Sequence, residues 1–151
     1  MTRPDDHPFF ALLNEVGIIE QLARNLFEGA QEDGLLLPHF VVLNHLVRVG
    51  DGANPARMAR AFQLAKGALT NTVARLEARG FVRVEPDPRD GRGKRVWLTE
   101  AGRARREAAV ESAVRVLRES GAAPSEEEAR GLVLALRAVR QRLDQARARE
   151  D

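Results

Sequence analysis

Apolar residues at Leu12, Val16, Ile19, Leu22 and Leu26 follow a 4-3-3-4 spacing, a single stripe along a helix beginning near Phe9. Phe10, Leu13 and Phe27 widen the stripe, and residues 28–34 interrupt it. Pro38 suits the first turn of a second helix, to which Phe40, Val41, Leu43, Leu46 and Val47 give an apolar face and which Gly50-Asp51-Gly52 ends. Asn54 followed by Pro55 is a strong start for a third: the Asn side chain caps and Pro fills the first helical position. That helix is short, about 55–61, with Met58, Ala59 and Phe62 inward. Gln63-Leu64 makes a tight joint to a helix over 65–79, in which Leu69, Val73 and Leu76 face the core and Gly80 ends the run. Two short helices joined this closely are the helix-turn-helix layout.

The period then changes. Residues 81–84 (FVRV) and 95–98 (RVWL) alternate as strands do, and the Pro-, Gly- and charge-rich stretch 87–94 between them reads as a hairpin loop. Thr99 caps a helix over 100–120, residues 121–124 break it, and Ser125 with Glu128 forms a capping box for the last helix. There Leu132, Leu136, Val139 and Leu143 recur at 4-3-4, a seam that ordinarily wants another helix. The pattern predicts a mainly α protein with a small β wing. An arm (1–8) and first helix occupy 1–35, a winged helix-turn-helix lobe 36–101, and C-terminal helices 102–151. The middle lobe can bury its own core. The terminal stripes, Leu12/Val16/Ile19 and Leu132/Leu136/Val139/Leu143, are therefore expected to pack with each other and a second copy, as a helical dimerisation domain built from both termini.

Composition narrows the function. The 151 residues are 44% hydrophobic and 30% charged, ordinary for a folded domain. No apolar run approaches a membrane span, and MTRPDDHPFF lacks the apolar segment of a secretory signal, so a cytoplasmic protein is expected. With no Cys, thiol nucleophiles, disulfides and thiol redox sensing are excluded. Only His7, His39 and His45 remain as soft metal ligands, and His39 and His45 are not spaced as a helical pair, so neither metal nor cofactor is expected. Nothing resembles a Ser-His-acid set, a phosphate-cradling Gly loop or paired carboxylates in an apolar setting, so the chain is not expected to be an enzyme.

Net charge is only +2, but its distribution is uneven. From Arg75 to Arg106 there are ten cations (75, 79, 83, 89, 92, 94, 95, 103, 105, 106) and five acids (77, 85, 87, 90, 100). Lys66, Gly67, Thr70, Asn71 and Arg75 lie away from the core side of their helix. A polar helix face is ordinarily just solvated. This mix, however, suits DNA: Lys and Arg neutralise phosphate or read guanine, Asn pairs with adenine, and Thr touches phosphate or a thymine methyl. The hairpin places Arg89, Arg92, Lys94 and Arg95 around Gly91 and Gly93, and such a tip can reach a narrow minor groove. Asp90 would repel phosphate there unless paired, so it is expected to brace an arginine.

The segment DPRDGRGKRVWLTEAGR resembles the wing signature of the MarR family, DxRDxRxxxxxLTxxG, and NPARMARAF…KGALTNTVARLEARGFV is similar to that family's helix-turn-helix. The motif resemblance covers about 38–103, and helix order extends it to the whole chain. It implies a homodimer in which first and last helices interlock, each recognition helix enters a major groove and each wing reaches a flanking minor groove. It matches Lys66, Gly67, Thr70, Asn71 and Arg75 to the recognition helix. Arg89, Asp90, Arg92 and Lys94 match the wing, with Asp90 and Arg92 as a pair. One departure is Ala65, where the family often has Ser or Thr, a lost cap worth about 1 kcal/mol.

The expected function is a sequence-specific transcriptional regulator, a homodimeric repressor on a palindromic operator. The resemblance also implies release by a small aromatic or lipophilic effector. Candidate lining residues are Phe10, Asn14, His39, Phe40, Asn44, His45, Arg48 and Arg115, each of which has an ordinary reading as cap, core or solvated side chain. The expected partners are thus double-stranded DNA, a second copy and an effector, with no membrane. The alternative is a winged-helix module that binds a protein and recognises no operator.

Overall fold

The computed structural model describes residues 7–50 and 52–149, with Lys66 described in its backbone alone. Most of the N-terminal arm, Asp51 and the last two residues lie outside the described residues. The order is α1 (Pro8–Gly29), α2 (Leu37–Val49), α3 (Pro55–Ala61), α4 (Lys66–Ala78), β1 (Val82–Asp87), β2 (Asp90–Leu98), α5 (Glu100–Glu119) and α6 (Glu126–Arg147). The chain divides after Val116 into two compact units, the second holding the end of α5 and α6.

Helix starts follow the capping chemistry of the sequence. Asn54 Oδ1 accepts from the N–H groups of Ala56 (2.8 Å) and Arg57 (3.3 Å), with Pro55 in the first turn of α3. Ser125 and Glu128 satisfy each other's backbone donors at the start of α6. α2 has no capping side chain at Leu36. Two neighbours serve instead: His39 Nδ1 accepts from Leu36 N–H (3.2 Å), and Glu28 from Leu37 N–H (2.9 Å).

α4 ends in a Schellman turn. Gly80, at φ 73°, donates to Glu77 C=O, and Phe81 N–H reaches back to Leu76 C=O. Thr99 Oγ1 donates to Gly80 C=O (2.6 Å) and accepts from Gly102 N–H (3.0 Å), which joins the start of α5 to the end of α4.

The lobe has its own core: Val42, Leu43 and Leu46 of α2, Met58 and Ala59 of α3, Leu69, Val73 and Leu76 of α4, Val82 of β1 and Val96 of β2. Full burial of each large apolar side chain contributes roughly 1.5–3 kcal/mol. A smaller cluster joins Phe27, Leu35 and Ala109, with Phe40 packed on Phe27 at 4.8 Å between ring centroids.

The wing differs from the sequence expectation. Residues 87–94 are not an open loop. β1 and β2 form an antiparallel ladder from Val82↔Leu98 up to Asp87↔Asp90, irregular between Pro86 and Asp87, and only Pro88 and Arg89 form the turn. Ala53 bridges Val96 on the other side of β2. Strand pairing is carried by the backbone, so a ladder solvated on both faces can continue where side chains no longer alternate.

Asp33, in the linker before α2, receives the Arg105 guanidinium of α5 through both oxygens (Nε to Oδ2, 2.8 Å) and also pairs with Arg79 at the end of α4. Arg105 hydrogen bonding, then the charges of Arg105 and Arg79, hold this carboxyl far below its usual range against the opposing cost of burial. A depressed carboxyl contributes stability above the ordinary carboxylate range and loses it as pH falls below about 4. Asp33→Asn should therefore lower stability by about 1 kcal/mol at pH 7, a modest figure because solvent screens a partly exposed pair. In urea unfolding the gap from the parent protein should shrink as pH drops below about 4; a gap independent of pH would count against this role.

Candidate nucleic-acid interface

α4 buries Leu69, Val73 and Leu76 and turns Gly67, Asn71 and Arg75 outward. Thr72 is occupied locally, its hydroxyl donating to Ala68 C=O (3.0 Å). Thr70 is exposed on the flank that faces the wing. A Cβ on Gly67 would meet nothing within 4 Å, so the helix surface there is open. The N-cap is Ala65, which makes no capping bond, as the sequence implied. The Lys66 side chain lies outside the described residues.

Between α4 and the wing runs a groove of about 410 Å³. One wall is Thr70, Val73, Ala74 and Glu77 of α4, the other Val84, Arg92, Gly93 and Lys94, and Asn54, Pro55 and Ala56 from the start of α3 also line it. Arg89, Asp90, Arg92 and Lys94 of the wing are exposed.

The brace of the wing is not the expected one. Asp90 accepts the backbone N–H of Arg92 (3.1 Å) and no guanidinium. The bracing acid is Asp87, which is covered, accepts Arg89 N–H (2.9 Å) and lies 3.1 Å from Arg95 Nε. Those two contacts, the backbone bond first, hold the Asp87 carboxyl below its ordinary range. Arg95 also donates to Gly52 C=O (2.8 Å). It is half-buried and part of the wing's frame rather than a free cation. The register explains the change: Arg95 pairs opposite Glu85, two residues before Asp87 on β1 and so on the same face of the ribbon, while Asp90 stands at its turn.

The described cations of α4 and the wing thus divide into two sets, with Arg105 and Arg106 of α5 alongside the first. Arg79, Arg83, Arg95, Arg105 and Arg106 are committed to acids, backbone or Asn44. Arg75, Arg89, Arg92 and Lys94 make no ion pair or side-chain hydrogen bond among the described residues and lie on α4 and the wing. Sequence reasoning missed Asp87 as the brace and Glu77 as a groove residue. The motif contained Asp87, but only the strand register reveals its partner.

The residues nominated for an effector pocket have varied duties. His39 is buried and caps α2, and Phe40 packs on Phe27. Asn44 accepts the Arg106 guanidinium (2.8 and 3.2 Å), and His45 meets Phe62 edge-on (4.9 Å). Burial, then nearby arginines, lowers the pKa of both histidines: Arg79 and Arg75 for His39, opposed by Glu28, and Arg48 for His45. Phe10, Asn14, Arg48 and Arg115 are exposed. None of the eight lines the groove between α4 and the wing.

On α1, Leu12, Val16, Ile19 and Leu22 are open to solvent, Ile19 and Leu22 by about three-fifths. On α6, Leu132, Leu136 and Leu143 are exposed and Val139 is half-buried. No helix among the described residues is long and apolar enough to cross a membrane.

The sequence profile of the MarR family matches residues 33–93, which span α2 to most of the wing. The chain is 31% identical over 97 residues to the transcriptional activatory protein BadR of Rhodopseudomonas palustris, a match covering 63% of this chain. The match spans about half, 54%, of that relative's length. Among solved structures it is similar to a probable transcriptional regulator from Pseudomonas aeruginosa, with 28% identity and a TM-score of 0.71 over 91% of this chain and 99% of that one. It is also similar to BpsR of Bordetella bronchiseptica, whose DNA binding is regulated by 6-hydroxynicotinic acid. That match has 25% identity and a TM-score of 0.70 over 85% of this chain and 98% of the other.

Proposed function

We propose that this chain, which belongs to the MarR family of transcriptional regulators, binds a two-fold symmetric site on double-stranded DNA as a homodimer. The observation that carries the reading is the uncommitted set Arg75, Arg89, Arg92 and Lys94, exposed on α4 and the wing, while the other cations of the wing are tied down. In this reading α4 enters a major groove, with Asn71 and Arg75 at base edges, Gly67 allowing close approach, and Lys66 and Thr70 beside phosphates. The wing carries Arg89, Arg92 and Lys94 to the flanking minor groove, with Asp90 shaping its turn and Arg95 stiffening its frame.

The exposed apolar faces of α1 (Leu12, Val16, Ile19) and α6 (Leu132, Leu136, Leu143, with Val139) are what a second copy would cover. Two-fold symmetry would then present two recognition helices to half-sites about one helical turn apart. Binding to DNA puts the site of action in the cytoplasm. Release by a small aromatic or lipophilic effector draws on the likeness to BpsR; on this chain the candidates are Phe10, Asn14, His39, Phe40, His45 and Arg48. Repression is the expected sign. BadR, named as an activator, has the other sign, and the position of the bound site relative to the promoter decides between them.

Asn71→Ala provides the direct test. On a panel of operators with single base changes it should lose discrimination at one position of each half-site, by roughly 1–3 kcal/mol, and leave the other positions alone. A uniform loss across the panel would make Asn71 a phosphate contact and remove it from base reading.

A further inference from the structure

We propose that Glu77 is the positioning residue that sets the separation between the recognition helix and the wing, an inference that rests on the DNA-binding reading above. Val96 gives both its N–H and its C=O to Ala53 (2.9 and 3.1 Å). In the Val84↔Val96 pair, therefore, no hydrogen bond crosses the ladder, and the polar groups of Val84 point outward from the free edge of β1. Its N–H would be an orphan donor on an edge strand. Glu77 Oε1 accepts it at 2.9 Å.

The placement gives this bond leverage. Glu77 stands seven residues after Thr70, on the same face of α4, the face that walls the groove. Val84 lies two residues up β1 from the buried Val82, towards the tip. The base of the ribbon is anchored in the lobe core at Val82 and Val96, but a two-stranded ribbon is marginal by itself and can tilt about such a base. The Glu77–Val84 bond joins helix to ribbon level with Val96, the outer of these anchors, on the free edge of β1, and beyond it Arg92 and Lys94 form the far wall. Two contact surfaces that must meet two adjacent grooves together gain from a fixed separation, because less freedom is lost on binding.

The charge of Glu77 points the same way. It is the one acid among the residues lining this groove, in a surface otherwise suited to phosphate. For attraction alone the position would be better neutral, so its contribution is as an acceptor. Glutamine offers an oxygen at the same place; alanine does not.

The test uses the full chain on an operator carrying the wing flanks and on a shortened one lacking them. Glu77→Ala should bind the full operator about tenfold more weakly than the parent protein and the short one equally well. Glu77→Gln should stay within about twofold of the parent on both. With Arg92→Ala already in place, adding Glu77→Ala should cost clearly less than it does in the parent, because the wing then has less contact left to lose. The proposal is overturned if Glu77→Ala matches the parent on the full operator, if Glu77→Gln falls with it, or if the loss persists undiminished in the Arg92→Ala background. Failure of the parent protein to bind any DNA would be seen separately; it would end the DNA-binding reading and this inference with it.

Discussion

Gly102→Ala should cost about 3 kcal/mol or more of stability, the upper range for forcing atoms into a packed site. A Cβ at this position would lie 2.0 Å from the carbonyl oxygen of Phe81 and 2.9 Å from Leu98 Cδ1. The backbone carbonyl cannot yield cheaply. The Phe81 carbonyl accepts Thr99 N–H (3.1 Å), and Phe81 N–H closes the Schellman turn on Leu76. Moving it would loosen the end of α4 and the start of α5 together. At roughly 2–4 °C per kcal/mol for a chain of this size, the melting temperature should drop by about 10 °C. Gly91→Ala is the matched control: nothing lies within 4 Å of a Cβ there, and its melting temperature should not move. Equal melting temperatures for the parent protein and Gly102→Ala would mean that the junction is less tightly packed than this geometry requires.

Arg92→Ala should produce the largest loss of DNA affinity for one substitution. Arg92 is exposed, and its guanidinium has no partner among the described residues, so its removal leaves no buried acid unpaired and no frame broken. In a homodimer the substitution counts twice. With each wing losing about one phosphate-scale contact, the slope of log affinity against log salt should become shallower by about 2, and affinity near physiological salt should fall at least tenfold. The loss should be the same for every operator variant, and the oligomeric state in sedimentation should not change. Unchanged affinity would take the wing out of the mechanism. Arg95→Ala provides the contrast: Arg95 supports Asp87 and Gly52, so its loss should appear partly as instability of the wing.

Much of the fold was readable from side-chain period and caps. The 4-3 spacing of Leu69, Val73 and Leu76 identified the buried side of α4, and Asn54-Pro55 and Ser125…Glu128 marked helix starts that the structure retains. The exposed stripes of α1 and α6 were equally visible, because an apolar face is a property of sequence whether or not a partner is present. The extent of the wing was not. Its upper ladder, 85–87 against 90–95, is largely solvated apart from Asp87 and carries Pro, Gly and charge, so nothing in the residue types distinguishes a paired strand from a loop. The brace was missed for a related reason: Asp87 and Asp90 are the same residue type three positions apart, and only register decides which one meets Arg95. The role of Glu77 depends on which way the Val84 N–H points, and that follows from the pairing with Val96 of Ala53, about thirty residues before β1 begins. For the effector candidates, the family resemblance suggested a pocket, whereas packing gives His39, Phe40, Asn44 and His45 internal duties.

Selection of bound sequences from a random pool of double-stranded DNA, followed by salt titration on the enriched sequence, tests the central claim most directly. The account predicts enrichment of a two-fold symmetric site with half-site centres about one helical turn apart, and an affinity that falls linearly in log salt with a slope reflecting several phosphate contacts. No enrichment over the starting pool, together with a protein partner retained at high salt, would contradict it and would identify the winged lobe as a protein-binding module.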